Sequence, residues 1–357
     1  MKRSFFAWAI RGSLLVLGLT IVSSSDFGQT APQGALFHFA DSQLPSPLVL
    51  VGFGDMRCTD PAEKEATNPE VRRALFDKIA SEKPFALMLG GDVPWHGSEW
   101  KDYEVFQSET AAWRAANIFV SPATGNHELI KSGELGSAIL TIQMGGGVAT
   151  SVLPCDECLG NWWRAFPQVK GYRWYSVEVG SKVLILNLDS NFPLKNGADL
   201  SVQGAWLRGQ LAHLPGSVKF VFFNLHHPPI SAVKPSPIDP DMKPLLDLIK
   251  EATSARHQAR FVVIGGHVHN YERFLNDDTI YLVSGGGGAK PFPLDSKTRK
   301  AVGDLYNGPD VNYHYIRFTM GENRFNGEMV RLADRKQGDP IGTPSWEVKD
   351  HFQVIGK

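Results

Sequence analysis

The residues best suited to chemistry are two histidines one residue apart, His267 and His269, in the stretch Gly-Gly-His-Val-His-Asn-Tyr-Glu-Arg over 265–273. They follow the β-branched run Phe-Val-Val-Ile at 261–264, which reads as a short buried strand ending at the histidines. On extended backbone, residues two apart face the same side about 7 Å apart, so the pair can reach two neighbouring metal ions. Similar apolar runs deliver Asp55 after 47–53, Asp92 after 85–89, Asn126 and His127 after 118–121, and His226 after 219–225. Carboxylate, carboxamide and imidazole donors together suit borderline metals such as Zn, Mn and Fe. A carboxylate with two oxygens can bridge a metal pair, and that role falls most naturally to Asp92.

The elements that must position these residues alternate between strand and helix. Asn68 and Pro69 open a helix through about 81, with Val71, Leu75 and Ile79 at helical spacing. Ser98 is expected to cap a second helix reaching about 116, and further helices are expected over 201–213 and 241–255. An edge strand is expected at 35–39, a hairpin over 172–179 and 182–188, and strands at 279–284, 313–319 and 327–332. Strand, ligand, helix, repeated, is the arrangement whose sites collect at the carboxyl ends of strands. Residues 129–170 break the rhythm and read as an inserted loop able to shape a pocket or lid. The alternative is a structural flap whose Trp162 and Trp163 belong to the core.

The chain of 357 residues is 43% hydrophobic and 20% charged, ordinary for a globular protein with a sizeable core. A formal net charge of −1 argues against a polyanion-binding surface and a nucleic-acid scaffold role. Lys2, Arg3 and Arg11 precede the apolar stretch 14–22 and Ser23, Ser24 and Ser25, which reads as an export signal over 1–25, cleaved between Ser24 and Ala31. An uncleaved anchor starting near Phe5 is the alternative, and Arg11 counts against it. The remaining plan is a linker at 26–46 and a single domain over 47–357, with strands in 300–357 completing a sheet. A secreted or periplasmic location follows, without stable membrane association after cleavage. Of the three cysteines, Cys155 and Cys158 are a disulfide pair or unpaired loop residues, and the stretch lacks the further ligands a zinc knuckle needs.

The ordered motifs Gly54-Asp55, Gly91-Asp92, Gly125-Asn126-His127-Glu128, His226-x-Pro228 and Gly266-His267-Val268-His269 resemble those of the calcineurin-like metallophosphoesterases. The extension Asn270-Tyr271-Glu272-Arg273 is similar to the purple acid phosphatase branch. The resemblance covers roughly 48–288 and implies an α/β fold of two mixed β-sheets packed as a sandwich, flanked by helices in four layers. It also implies that Asp55, Asp92 and His269 hold one metal, and Asp92, Asn126, His226 and His267 the other. The pair would hold a bridging hydroxide aimed at phosphorus, with His127 donating a proton to the leaving oxygen or stabilising charge on the phosphoryl group.

Two departures stand out. Trp95 occupies the place where the purple branch has an iron-binding tyrosine, and Arg57 the place where other members carry a histidine ligand. Neither side chain can ligate a metal, so the His269 side is one protein ligand short. Arg57 is either a phosphate clamp or part of an ion pair with a neighbour such as Asp60 or Glu63. His227 is expected to face substrate or support the ligands. The leading function is hydrolysis of phosphomonoesters. A phosphodiesterase or nucleotide pyrophosphate hydrolase is the alternative, and a non-catalytic metal-binding module is a further one.

Overall fold

The computed structural model describes residues 36–131, 155–191, 198–233, 238–254, 258–333 and 342–357. The export segment and the stretch 132–154 of the expected inserted loop lie outside them. Two sheets form the centre. In the first, the order is β1 (Phe37–Phe39), β5 (Tyr175–Val179), β6 (Val183–Asn187), β7 (Phe220–Asn224), β8 (Arg260–Gly265), β10 (Thr279–Ser284) and β9 (Tyr271–Asn276). In the second it is β13 (Trp346–Ile355), β12 (Arg324–Leu332), β11 (His314–Met320), β2 (Leu48–Phe53), β3 (Ala86–Leu89) and β4 (Phe119–Pro122). Strands β2, β3 and β4 run parallel, as do β6, β7, β8 and β10, and the other pairings are antiparallel except β1 with β5. Both sheets are therefore mixed, as the resemblance implied.

Alternation along the strands explains the layers. Phe220 and Phe222 on β7 face inward and meet Phe318 and Phe325 of the opposite sheet at ring separations of 5.1–5.5 Å. Val221 and Phe223 face outward, into the cluster formed with Leu207, Leu211, Leu245 and Ile249 of the helices Ala198–Ala212 and Lys243–Ser254. On the other sheet Phe53 packs outward on Phe76 and Trp113. A parallel strand covered on both faces needs apolar residues at every position, which is why these runs read as continuous. The result is helix, sheet, sheet, helix.

The helix Pro69–Glu82 begins as the sequence indicates, with the Asn68 side chain accepting from the amides of Glu70 and Val71. The next helix differs. It starts at Trp100 without a side-chain cap, and Ser98 lies outside it. It also breaks at Thr110, whose hydroxyl donates back to the Phe106 carbonyl at 2.6 Å, so Trp100–Glu109 and Ala111–Ala115 are separate helices. The described end of the expected inserted loop contains the helix Asp156–Ala165, tied at its start by the Cys155–Cys158 disulfide. Asn161 on this helix donates to the carbonyls of Gly97 and Ser98, and Trp162 is core. The sequence reading placed no strand at 271–276 or 346–355. Strand β13 is a charged, largely exposed edge whose register slips opposite Met329 and Val330, so its alternation is weak. Among the described residues no helix is long and apolar enough to cross a membrane.

Candidate metal centre

Each expected ligand follows the carboxyl end of a parallel strand, and several sit on unusual backbone. Asp55, Arg57, Asp92 and His267 have φ of 65°, 46°, 54° and 65°, a region non-glycine residues seldom occupy. His267 is therefore not on extended backbone, and the expectation of a simple two-residue strand repeat for His267 and His269 is corrected. The strand ends at Gly265, and the loop turns each histidine separately. Glycine is required beside it: a Cβ on Gly266 would lie 2.5 Å from Asp55 Oδ2.

Asp92 stands at the centre. Its Oδ1 accepts the His127 amide at 3.0 Å and lies 3.2 Å from His226 Nε2, while its Oδ2 accepts from Arg57. One nitrogen or oxygen from each of Asp55, Asp92 and His269 falls within 4.8 Å of the other two. On the other side His226 Nε2 is 2.9 Å from Asn126 Oδ1, and His267 Nδ1 is 3.1 Å from the same oxygen. The structure thus brings all six expected ligands together around Asp92, with His227 beside His226 and His267.

The imidazole tautomers follow from their partners, because a carbonyl can only accept. His226 Nδ1 faces Gly90 O at 2.7 Å, His269 Nδ1 faces Lys290 O at 2.6 Å, and His127 Nδ1 faces Trp95 O at 2.7 Å. In each the proton sits on Nδ1 and the Nε2 lone pair is turned to the cleft. His227 is arranged in the opposite sense. The Ser190 hydroxyl accepts the amides of both His226 and His227, so its own proton goes to His227 Nδ1 at 3.1 Å. His227 therefore presents an N–H from Nε2, and although it clusters with His226 and His267 it is suited to donating to an anion rather than to ligating a metal.

The donor set fits a cation. Asp55 Oδ1 and His269 Nε2 are buried 3.4 Å apart with no hydrogen-bond partner among the described residues, and His226 Nε2 turns its lone pair on two oxygens. Burial and the Arg57 charge push both His127 and His269 down to about 3, and burial with the neighbouring His226 pushes His227 to about 3. Burial lowers His267 as well, with His227 and His226 adding to the effect. Neutral imidazole is the form that binds metal. Burial pushes Asp55 up to about 7, against the pull of His226. Burial would also raise Asp92, but His127, His226 and Arg57 outweigh it and hold the carboxyl below its usual range.

Arg57 is half-buried at the mouth beside Trp95, its guanidinium 5.1 Å from the indole centroid. Its ion-pair partner is Asp92, not Asp60 or Glu63. The indole stacks on His127 with centroids 4.7 Å apart and planes 24° apart. Glu128 braces the set from behind, accepting the amides of Asp92, Val93 and Gly125 at 3.0, 2.8 and 2.7 Å. Tyr271 and Arg273 anchor the histidine loop to Asp350 on β13, and Glu272 accepts from Ser231 and Ala232. The run of glycines permits close approach: a Cβ on Gly287 would strike the Gly54 carbonyl. Ser190 escaped the sequence reading. The signal for it was present, since Asp189-Ser190-Asn191 ends the apolar run at 183–188 just as the ligands end theirs.

Comparison with known proteins bears on the fold and the family. A purple acid phosphatase from yellow lupin (Lupinus luteus) superposes with a TM-score of 0.55 at 18% identity, over 88% of this chain and 55% of its own. The chain thus spans little more than half the length of that relative. PhoD gives 0.58 at 12% identity over 88% and 72%, and a dimetal phosphatase from Danio rerio gives 0.50 at 11% over 87% and 100%. These likenesses show the fold. No curated protein matches the chain significantly. The calcineurin-like phosphoesterase family matches residues 37–271, which takes in every expected ligand. With its strand-end ligands, sandwich and ordered motifs, the chain belongs to the calcineurin-like phosphoesterases.

Proposed function

We propose that the protein is an exported dimetal phosphoesterase that hydrolyses phosphomonoesters. The observation that carries this reading is Asp92, one carboxylate oxygen turned to His226 and the other to Arg57, between two groups of candidate donors. Asp55, Asp92 and His269 would hold one ion, and Asp92, Asn126, His226 and His267 the other. When bound, Fe, Mn or Zn in such a pair supplies Lewis-acid charge and lowers the pKa of water toward neutrality. The residues do the rest. The Nε2–H of His227 and the guanidinium of Arg57 bind and orient phosphoryl oxygens.

His127 has a conditional role. Its Nε2 carries no proton in the substrate-free protein, and burial and Arg57 keep it neutral. A phosphoryl dianion beside it supplies the negative partner that offsets both, so the ring takes up a proton as substrate enters and returns it to the leaving oxygen. Monoesters are favoured over diesters because a terminal phosphoryl group carries the second negative charge that Arg57 and His227 are placed to meet. The Cys155–Cys158 disulfide supports an oxidising compartment, in keeping with export. The test assays a nitrophenyl monoester against its bis-ester, with Mn, Zn or Fe added to metal-free protein. Monoester turnover is expected. Turnover of the diester alone would make the protein a phosphodiesterase, and neither metal uptake nor turnover of any ester would leave a non-catalytic module.

A further inference from the structure

Arg57 is held differently from the structural arginines of this protein. Arg72, close by, forks both its Nε and Nη2 onto the two oxygens of Glu109 at 2.7 and 2.9 Å. Arg57 puts Nε and Nη2 on a single oxygen, Asp92 Oδ2, at 3.4 and 3.2 Å, longer than a firm charge-assisted bond. Among the described residues its Nη1 has no hydrogen-bond partner. Its backbone is fixed, with φ of 46° and the amide donating to Asp92 O at 2.9 Å, so the loose contact is a property of the side chain alone. In the same pose the guanidinium lies over the Trp95 ring, 5.1 Å from its centroid.

Asp92 Oδ1 accepts the His127 amide and faces His226, so Oδ2, the oxygen Arg57 touches, is the one left for a cation held with Asp55 and His269. The atoms that would complete that group, Asp55 Oδ1 and His269 Nε2, are buried and unpartnered beside it. On the other side of Asp92, Oδ1 meets His226 and the His127 amide, and among the described residues no lysine or arginine pairs with it there. The two groups are therefore unequal before any ion arrives.

We propose that Arg57 is a built-in competitor for metal at Asp92 Oδ2, so that the Asp55–Asp92–His269 group fills second, binds more weakly and empties first. The guanidinium acts twice in the same direction: it occupies a ligand atom, and its charge repels an incoming dication. Activity is then graded by the supply of divalent metal, with the half-loaded protein as a resting state. The inference rests on the two-metal reading proposed above.

The test is calorimetric titration of the metal-free full-length chain with Mn and, separately, with Zn. The wild-type protein is expected to take up metal in two steps, the second weaker by roughly tenfold or more. Arg57→Met should tighten the second step by roughly five- to tenfold and leave the first unchanged, the scale of one part-buried ion-pair contact. Arg57→Gln is the second variant, and circular dichroism checks that each has the wild-type fold. A second step unchanged or weakened in both variants, or both steps shifted equally, overturns the competition while leaving two metal sites in place. Failure of wild type and variants alike to bind either metal overturns the proposed function, and this inference with it.

Discussion

Replacing Glu128 by glutamine tests how the central carboxylate is held. In the native protein one oxygen of Glu128 takes the amides of Asp92 and Gly125, and the other takes Val93. A glutamine can keep two of these bonds through its carbonyl oxygen, but its NH₂ then faces the Val93 amide, donor against donor. A buried donor left unmade costs about 1–3 kcal/mol, so Glu128→Gln should lower the unfolding free energy by about 2 kcal/mol. Glu128→Ala frees all three amides and should cost about 3–6 kcal/mol. Because these amides fix the left-handed turn at Asp92, a shift of order 1 Å there should lower kcat/KM about a hundredfold.

The pH dependence adds a check of sign. Burial and the Asp92 charge push Glu128 from 4.5 up to about 8. A carboxyl raised on folding gives stability that is complete below pH 4.5 and lost as pH climbs to 8, a loss the glutamine variant does not share. Wild-type stability should therefore fall as pH rises from 4.5 to 8, and that of Glu128→Gln should not show this fall. Urea unfolding of the metal-free protein across this range measures it. A variant within about 0.5 kcal/mol of wild type throughout, with unchanged metal binding, would refute the bracing role.

Other outcomes follow from the same geometry. Asp92→Asn should reduce bound metal from two equivalents to one or fewer, and two equivalents retained by elemental analysis would show that Asp92 is not shared. Trp95→Ala removes the ring that restrains His127, a stack of about 0.5–1.5 kcal/mol, so kcat should fall by up to about tenfold with a smaller change in KM. A loss expressed only in KM would make Trp95 a substrate contact instead. Burial pushes Glu272 up to about 7, so its stabilising contribution is present below pH 4.5 and lost by pH 7. Glu272→Gln should remove up to about 3 kcal/mol of that pH-dependent loss, and an unchanged slope of stability against pH would count against it.

The candidate ligands were legible because each follows a continuous apolar run, in the Gly-Asp, Gly-Asn-His and His-x-Pro motifs. Helix starts were legible where local chemistry decides them, as at Asn68 and Pro69, and not at Ser98, where the Asn161 amide claims the carbonyls and the helix begins two residues later. Strand β13 was hidden because an exposed edge strand needs no apolar alternation to pair.

The sequence by itself determined which candidate ligands end its apolar runs and in what order, since that depends on residue type and periodicity along the chain, and the resemblance its motifs carry implied the two mixed sheets. Only the tertiary structure decided how those residues are oriented. The carbonyls of Gly90, Trp95 and Lys290 set the tautomers of His226, His127 and His269, Ser190 turned His227 into a donor, and Arg57 found Asp92 rather than its neighbours in sequence. Hydrogen-bond direction and charge pairing depend on which groups meet in space, across separations of up to 136 residues, and no local pattern encodes them.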